Sequence, residues 1–184
     1  MVFNKEALQN FIVKLDQEIT EKSSLYLIGG ASAILAYNAK SGTQDIDLWD
    51  STKDLQQASQ RVAKKFPHLK IHFGPAYVHI KSENMLKRFV QLKTLKLSKI
   101  KLMVPDPEDL FLLKAQRSDE KDLADLVSLK TTVKIKENTL LKRFKEDVLP
   151  LNYANDDILI TNYLVAIEKV FGGEVCERHQ KTLA

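Results

Sequence analysis

The chain has 184 residues, 28 Lys+Arg against 24 Asp+Glu, a formal net charge of +4 and 44% hydrophobic residues. That length suits one domain, or a compact core plus a helical annex, and the ordinary composition is that of a globular protein. No apolar run approaches the ~20 residues needed to span a bilayer, and no basic stretch followed by an apolar core marks a signal peptide at the start.

The single cysteine, Cys176, excludes an intramolecular disulfide and a Cys-based zinc cluster, and the four scattered histidines (His68, His72, His79, His179) do not make a metal site by spacing. The expectation is a cytoplasmic protein with no membrane partner.

Leu8, Phe11, Ile12, Leu15 and Ile19 recur at helical spacing behind a capping Asn4, so residues 4–21 read as an amphipathic helix. Leu25–Ile28 is the first strand, Gly29-Gly30 follows it, and Ala31–Tyr37 is a helix. The glycines let backbone approach a ligand and leave N–H groups at a helix start, which suits phosphate. After a loop over 38–44, Asp45-Ile46-Asp47-Leu48-Trp49 reads as a strand. Alternation puts Asp45 and Asp47 on one face and Ile46 and Leu48 on the other. Two neighbouring carboxylates repel unless a cation sits between them, and their hard oxygens suit Mg²⁺.

Leu55, Ala58, Val62 and Phe66 mark another helix, ended by Pro67. Ile71–Phe73 and Tyr77–Ile80 are expected as short strands around Gly74-Pro75, with Lys81-Ser82-Glu83-Asn84 a loop. Phe89–Leu97 and Ile100–Val104 alternate as strands, with Lys96, Lys99 and Lys101 outward. Residues 81–101 hold seven basic groups and one acid, a net +6 that leaves −2 for the rest of the chain. Such concentration favours phosphate backbones through counterion release, and Lys93, Lys96, Lys99 and Lys101 are the candidate nucleic-acid contacts. A lysine-guarded sheet edge is the alternative.

From Asp106 the pattern is helical. Asp106-Pro107-Glu108-Asp109 supplies a cap, a proline at the first helical position and first-turn acids, which explains these acids by capping rather than chemistry. That helix runs to about Gln116, a second starts near Ser118, and others cover 136–147 and 156–171, the last stopped by Gly172-Gly173. Sheet first and helices afterwards indicate an α+β class, with an α/β core over 1–105 and a helical part over 106–184.

Gly29-Gly30 followed by Asp45-x-Asp47 resembles the nucleotidyltransferase superfamily of the polymerase-beta type. The stretch Val104–Lys114, then Arg117 and Lys121–Leu126, is similar to the later motifs of small bacterial nucleotidyltransferases grouped with AbiEii-type abortive-infection and toxin–antitoxin proteins, and with a related uncharacterised family. The resemblance covers residues 25–49 and 100–129.

It implies the nucleotidyltransferase fold, a mixed β-sheet flanked by helices with a C-terminal helical bundle. It also implies a Mg²⁺- or Mn²⁺-dependent enzyme that moves a nucleoside monophosphate from a triphosphate to an acceptor. Asp45 and Asp47 would hold metal, Gly29, Gly30 and Ser32 would contact nucleotide, Lys114 and Arg117 would offset triphosphate charge, and Lys114 and Asp122 would complete the active site. Asp125 is a weaker candidate than Asp122.

The basic segment favours RNA, tRNA included, as acceptor over a protein or small molecule, and the likeness to toxins implies an antitoxin partner. The wider superfamily often carries a third carboxylate on a later strand. Glu83 is the one acid between Asp54 and Asp106, so either Asp122 stands in for that group or the member is weakly active or silent. A catalytically silent module binding nucleic acid or protein is the alternative, and transfer of a different phosphoryl unit, kinase-like, is a third.

Overall fold

In the computed structural model, residues 2–66, 68–73, 82–151 and 156–183 are described. Asn4 accepts from the Ala7 N–H and starts helix α1 (Lys5–Glu18), whose Leu8, Phe11, Ile12 and Leu15 are buried. Strand β1 (Ser23–Ile28) leads into helix α2 (Gly29–Tyr37), so the two glycines form the first helical turn rather than a separate loop. Strand β2 (Asp45–Leu48) follows, then helix α3 (Lys53–Ala63) capped by Thr52, and strand β3 (Lys70–Phe73). Strands β4 (Val90–Gln91) and β5 (Ile100–Val104) complete a five-stranded mixed sheet in the order β3-β2-β1-β5-β4. β1 runs antiparallel to β2 and parallel to β5, while β2 and β3 are parallel.

One face of this sheet carries the core. Leu25 and Leu27 of β1, Ile46 and Leu48 of β2, and Ile100, Leu102 and Val104 of β5 form a single cluster with the apolar stripes of α1 and α3 and with Ala31, Ile34 and Leu35 of α2. Asp45 and Asp47 alternate with Ile46 and Leu48, and so project from the opposite face.

The expected strand over 89–97 shrinks to two residues. Leu95 and Leu97 still pack on the core, but the carboxylate of Asp16 accepts from the N–H groups of Ser98, Lys99 and Ile100 at 2.7–2.8 Å. Those donors are turned into a side chain instead of a neighbouring strand. Burial works to raise the Asp16 carboxyl, yet these hydrogen bonds and that of the Ser98 hydroxyl hold it below its ordinary value. The Gly74-Pro75 turn, the strand over 77–80, Lys81 and Pro67 lie outside the described residues.

The segment expected as a loop after Lys81 contains a short helix, α4 (Glu83–Lys87), capped by the Ser82 hydroxyl. Beyond it come α5 (Pro107–Ala115), α6 (Glu120–Thr132) and α7 (Glu137–Arg143). A π-helical turn (Phe144–Val148) follows, then α8 (Asp156–Phe171) and α9 (Gly173–Leu183). Gly172 at φ +91° does stop α8, but a further helix that the paired glycines hid starts at once on Gly173.

The chain divides into two compact units, Met1–Val78 with Phe89–Pro105 and His79–Arg88 with Asp106–Ala184. In the second unit, Asp106 caps α5 as expected, accepting from the Asp109 N–H. Asp109 is not merely a first-turn acid. It is fully buried between Arg88 and Arg143, and Arg88 also pairs with buried Asp147. Tyr163 stacks on Phe144 and on His179, whose Nδ1 lies 2.9 Å from the tyrosine oxygen.

Candidate active site

The candidate site begins where β1 meets α2. Gly29 has φ +62°, a conformation that L side chains rarely adopt, and a Cβ there would collide with the Asp47 carboxylate. Glycine therefore both permits the turn and lets the start of α2 come up against an acid. Gly30 is tight as well, since a Cβ would lie 2.8 Å from Thr43 Oγ1. The residue before the helix is Ile28, which offers no side-chain cap. The start of α2 carries the partial positive charge of a helix N-terminus, and the Asp47 carboxylate lies against it.

Asp47 stands opposite Ile28 in the antiparallel β1–β2 pair. Asp45 and Asp47 share a face, as their spacing demands, and both are half-buried. Thr43, itself buried, donates its hydroxyl to Asp45 Oδ1 at 2.8 Å and fixes that carboxylate. Its backbone is held in turn by two hydrogen bonds with Phe3. Ser32 is wholly buried and donates to the Gly29 carbonyl at 2.9 Å, supporting the glycine turn from within.

The residue that sequence reading missed is His72. The parallel register of β2 and β3 sets His72 beside Asp47, and its Nδ1 lies 2.9 Å from Asp47 Oδ1. One ligand atom each from Asp45, Asp47 and His72 fall within 4.8 Å of one another, close enough to bind one metal ion. His72 is therefore not one of four unrelated histidines. It occupies the strand that pairs with the one carrying both carboxylates. Two carboxylates and an imidazole make a donor set that Mg²⁺ tolerates and that Mn²⁺ and other transition ions suit better. Glu83, in the first turn of α4, belongs to the second unit.

Lys114 and Asp122 also lie in the second unit, with Arg117 and Asp125. Lys114 lies on α5. It is buried, and its ammonium donates to Asp122 Oδ1 at 2.9 Å and Asp125 Oδ2 at 2.6 Å. Arg117 adds two hydrogen bonds to Asp122. Burial acts to raise the Asp122 carboxyl, but Lys114 and Arg117 prevail and hold it below its usual range. Asp125, rated below Asp122 from sequence, makes the shorter contact with the lysine.

Of the candidate nucleic-acid contacts, Lys93, Lys96 and Lys101 are exposed. Lys99 precedes β5 rather than lying on it, and its ammonium donates to the carbonyls of Ile19 at 2.6 Å and Gln17 at 3.4 Å. No helix among the described residues is long and apolar enough to cross a membrane.

No curated protein and no solved structure matches the chain. The model of one family, described as "Nucleotidyltransferase of unknown function (DUF6036)", matches residues 6–169. That span takes in the glycine turn, the paired aspartates, His72 and the Lys114 cluster together, and the mixed sheet with its C-terminal helices is consistent with the nucleotidyltransferase fold. The chain belongs to this family of nucleotidyltransferases.

Proposed function

We propose that the protein transfers a nucleoside monophosphate from a nucleoside triphosphate to an RNA acceptor, tRNA included, with a divalent cation held by Asp45, Asp47 and His72. The observation that carries this reading is the meeting of those three donors with the glycine turn, where a single added methyl group would strike Asp47. The donor set and the close-packed backbone fit a small hard or borderline cation. Mg²⁺ or Mn²⁺ bound there would offset triphosphate charge and acidify the attacking hydroxyl.

The protein's own groups do the rest. The first-turn N–H groups of α2 receive phosphate oxygens that Asp45 and Asp47 would otherwise repel. Thr43 holds Asp45 in one orientation, and His72 does the same for Asp47. The acceptor oxygen bonds to the α-phosphorus while the bond to the pyrophosphate oxygen breaks. Pyrophosphate departs and the hydroxyl proton passes to water. We assign the metal-binding core to residues 1–105 and a supporting role to 106–184, the part that carries the Lys114–Asp122 pair.

The likeness of Val104–Leu126 to AbiEii-type proteins supports a toxin role with a cognate antitoxin. A second reading, a silent module that binds nucleic acid or protein, is favoured by one observation. The charge of Lys114 is already matched by two buried carboxylates, which leaves less of it for a triphosphate. Incubation with each labelled nucleotide, Mg²⁺ or Mn²⁺, and total RNA separates the readings. Label on RNA that disappears in Asp45→Asn supports transfer, and RNA retention without label supports the silent module. Label from the γ-phosphate alone would identify kinase-like transfer.

A further inference from the structure

At the end of the sheet where β1 and β5 begin, a cavity of about 390 Å³ is lined by Lys22, Ser23, Ser24, Gln91, Lys101 and the connecting residues 97–99. No carboxylate lines it. The acid behind it, Asp16, has its oxygens taken by the backbone of residues 98–100 and by the Ser98 hydroxyl. Among the described residues the side chains of Lys22, Ser23, Ser24, Gln91 and Lys101 make no hydrogen bond or ion pair. Two cations, two hydroxyls and an amide from three separate stretches of sequence thus face one cavity with their polar atoms available. A second recess of about 220 Å³ shares Ser23 and Ser24 and continues to Tyr26, Asp50 and Ser51.

Strand pairing relates this groove to the metal cluster. Lys101 stands beside Ser24, and Asp47 stands opposite Ile28. Paired residues share a face, and so do Ser24, Tyr26 and Ile28. Ser24, Gln91 and Lys101 of the groove therefore share a face of the sheet with the three metal donors, while Ser23 and Ile100 at its end turn to the core face. Ser24 and Ile28 are separated along β1 by four residues, about 13 Å at the rise of a strand. The charges give the groove a direction. Phosphates are drawn to Lys22 and Lys101, while Asp50 repels them and suits a base edge or a 2′-hydroxyl beside the Tyr26 ring.

We propose that this groove holds the phosphodiester backbone of single-stranded RNA a few nucleotides before the end that is presented to Asp45 and Asp47. The proposal rests on the transfer reading for its purpose but not for its measurement, since RNA binding can be followed without metal or nucleotide. It also moves the nucleic-acid contact away from Lys93 and Lys96, which do not line the groove.

The test is fluorescence anisotropy of a labelled single-stranded RNA oligonucleotide in EDTA over a range of salt. The wild type should bind, with weaker binding of the deoxy strand. Replacing Lys22 and Lys101 together by Gln should weaken binding roughly 25-fold near 0.1 M salt and flatten the salt slope by about 1.4. Replacing Lys93 and Lys96 by Gln should leave both unchanged, and melting curves of both variants should match the parent. Absence of RNA binding at low salt would overturn the proposal, as would equal loss in the Lys93/Lys96 variant. Equally effective displacement by pyrophosphate or by polyglutamate would overturn it too, pointing to a free anion or an acidic protein. Asp45→Asn should keep RNA binding, so failure of the transfer reading and failure of the groove give different results.

Discussion

Lys114→Met removes a buried ammonium and little volume, which turns the cluster in the second unit into a quantitative test of what the lysine does. In the wild type, Lys114, Asp122 and Asp125 are 4%, 3% and 8% exposed. After the substitution Asp122 keeps both hydrogen bonds from Arg117, whereas Asp125 loses its 2.6 Å contact with the lysine. Breaking a buried ion pair from one side costs about 3–5 kcal/mol, because the remaining charge stays desolvated. In a chain of this size each kcal/mol moves the melting midpoint by roughly 2–4 °C, so a fall of about 10 °C is expected. Asp125→Asn in the Lys114→Met background should recover a large part of it, a coupling read from urea denaturation of the two single variants and the double. The reasoning fails if Lys114→Met melts within about 2 °C of the parent while losing triphosphate affinity. The charge of the lysine would then be directed at a ligand rather than at the helices.

Gly29→Ala places a methyl group against the Asp47 carboxylate on a backbone that disfavours it, so Mn²⁺ affinity by calorimetry should fall at least tenfold, about 1.4 kcal/mol or more. Unchanged affinity would remove Asp47 from the metal site. For His179, burial lowers the ring pKa below its ordinary 6.5 and Arg178 lowers it further, with Glu137 opposing both. The unfolded chain therefore takes up the proton first. The stability that His179 contributes is complete above about pH 6.5 and declines as pH falls below it. The melting midpoint should drop between pH 7 and 5 more steeply in the wild type than in His179→Gln, and parallel profiles would refute the assignment.

The glycine turn and the carboxylate pair of the candidate site were readable because their signals are local. Gly29-Gly30 and Asp45-Ile46-Asp47 each lie within one turn or one strand, where backbone geometry alone fixes which atoms meet. His72 was not readable for the opposite reason. Its place beside Asp47 depends on the parallel pairing of two strands joined through α3, and a one-residue shift would turn the imidazole to the other face. The ion pairs of Lys114 were not readable because its partners, Asp122 and Asp125, arrive from the following helix. The alternation at Leu95 and Leu97 correctly marked positions that pack, half-buried, on the core but not a strand, since periodicity reports burial and is silent about where backbone N–H groups go. A glycine pair signalled a stop at 172 and could not say that a new helix starts on the second glycine.

The grip of Asp16 on residues 98–100 has a consequence for how the sheet is assembled. β1 and β5 are neighbours in space but more than seventy residues apart in the chain, and parallel pairs of that kind have no hairpin to set their alignment. The two oxygens of one carboxylate meet three consecutive amides and one hydroxyl, a match that a slipped strand cannot reproduce. A slip by one would offer the carboxylate a different trio and would point Lys101 into the core in place of Leu102. The first helix therefore acts as a jig, setting the alignment of the strand that ends the α/β core.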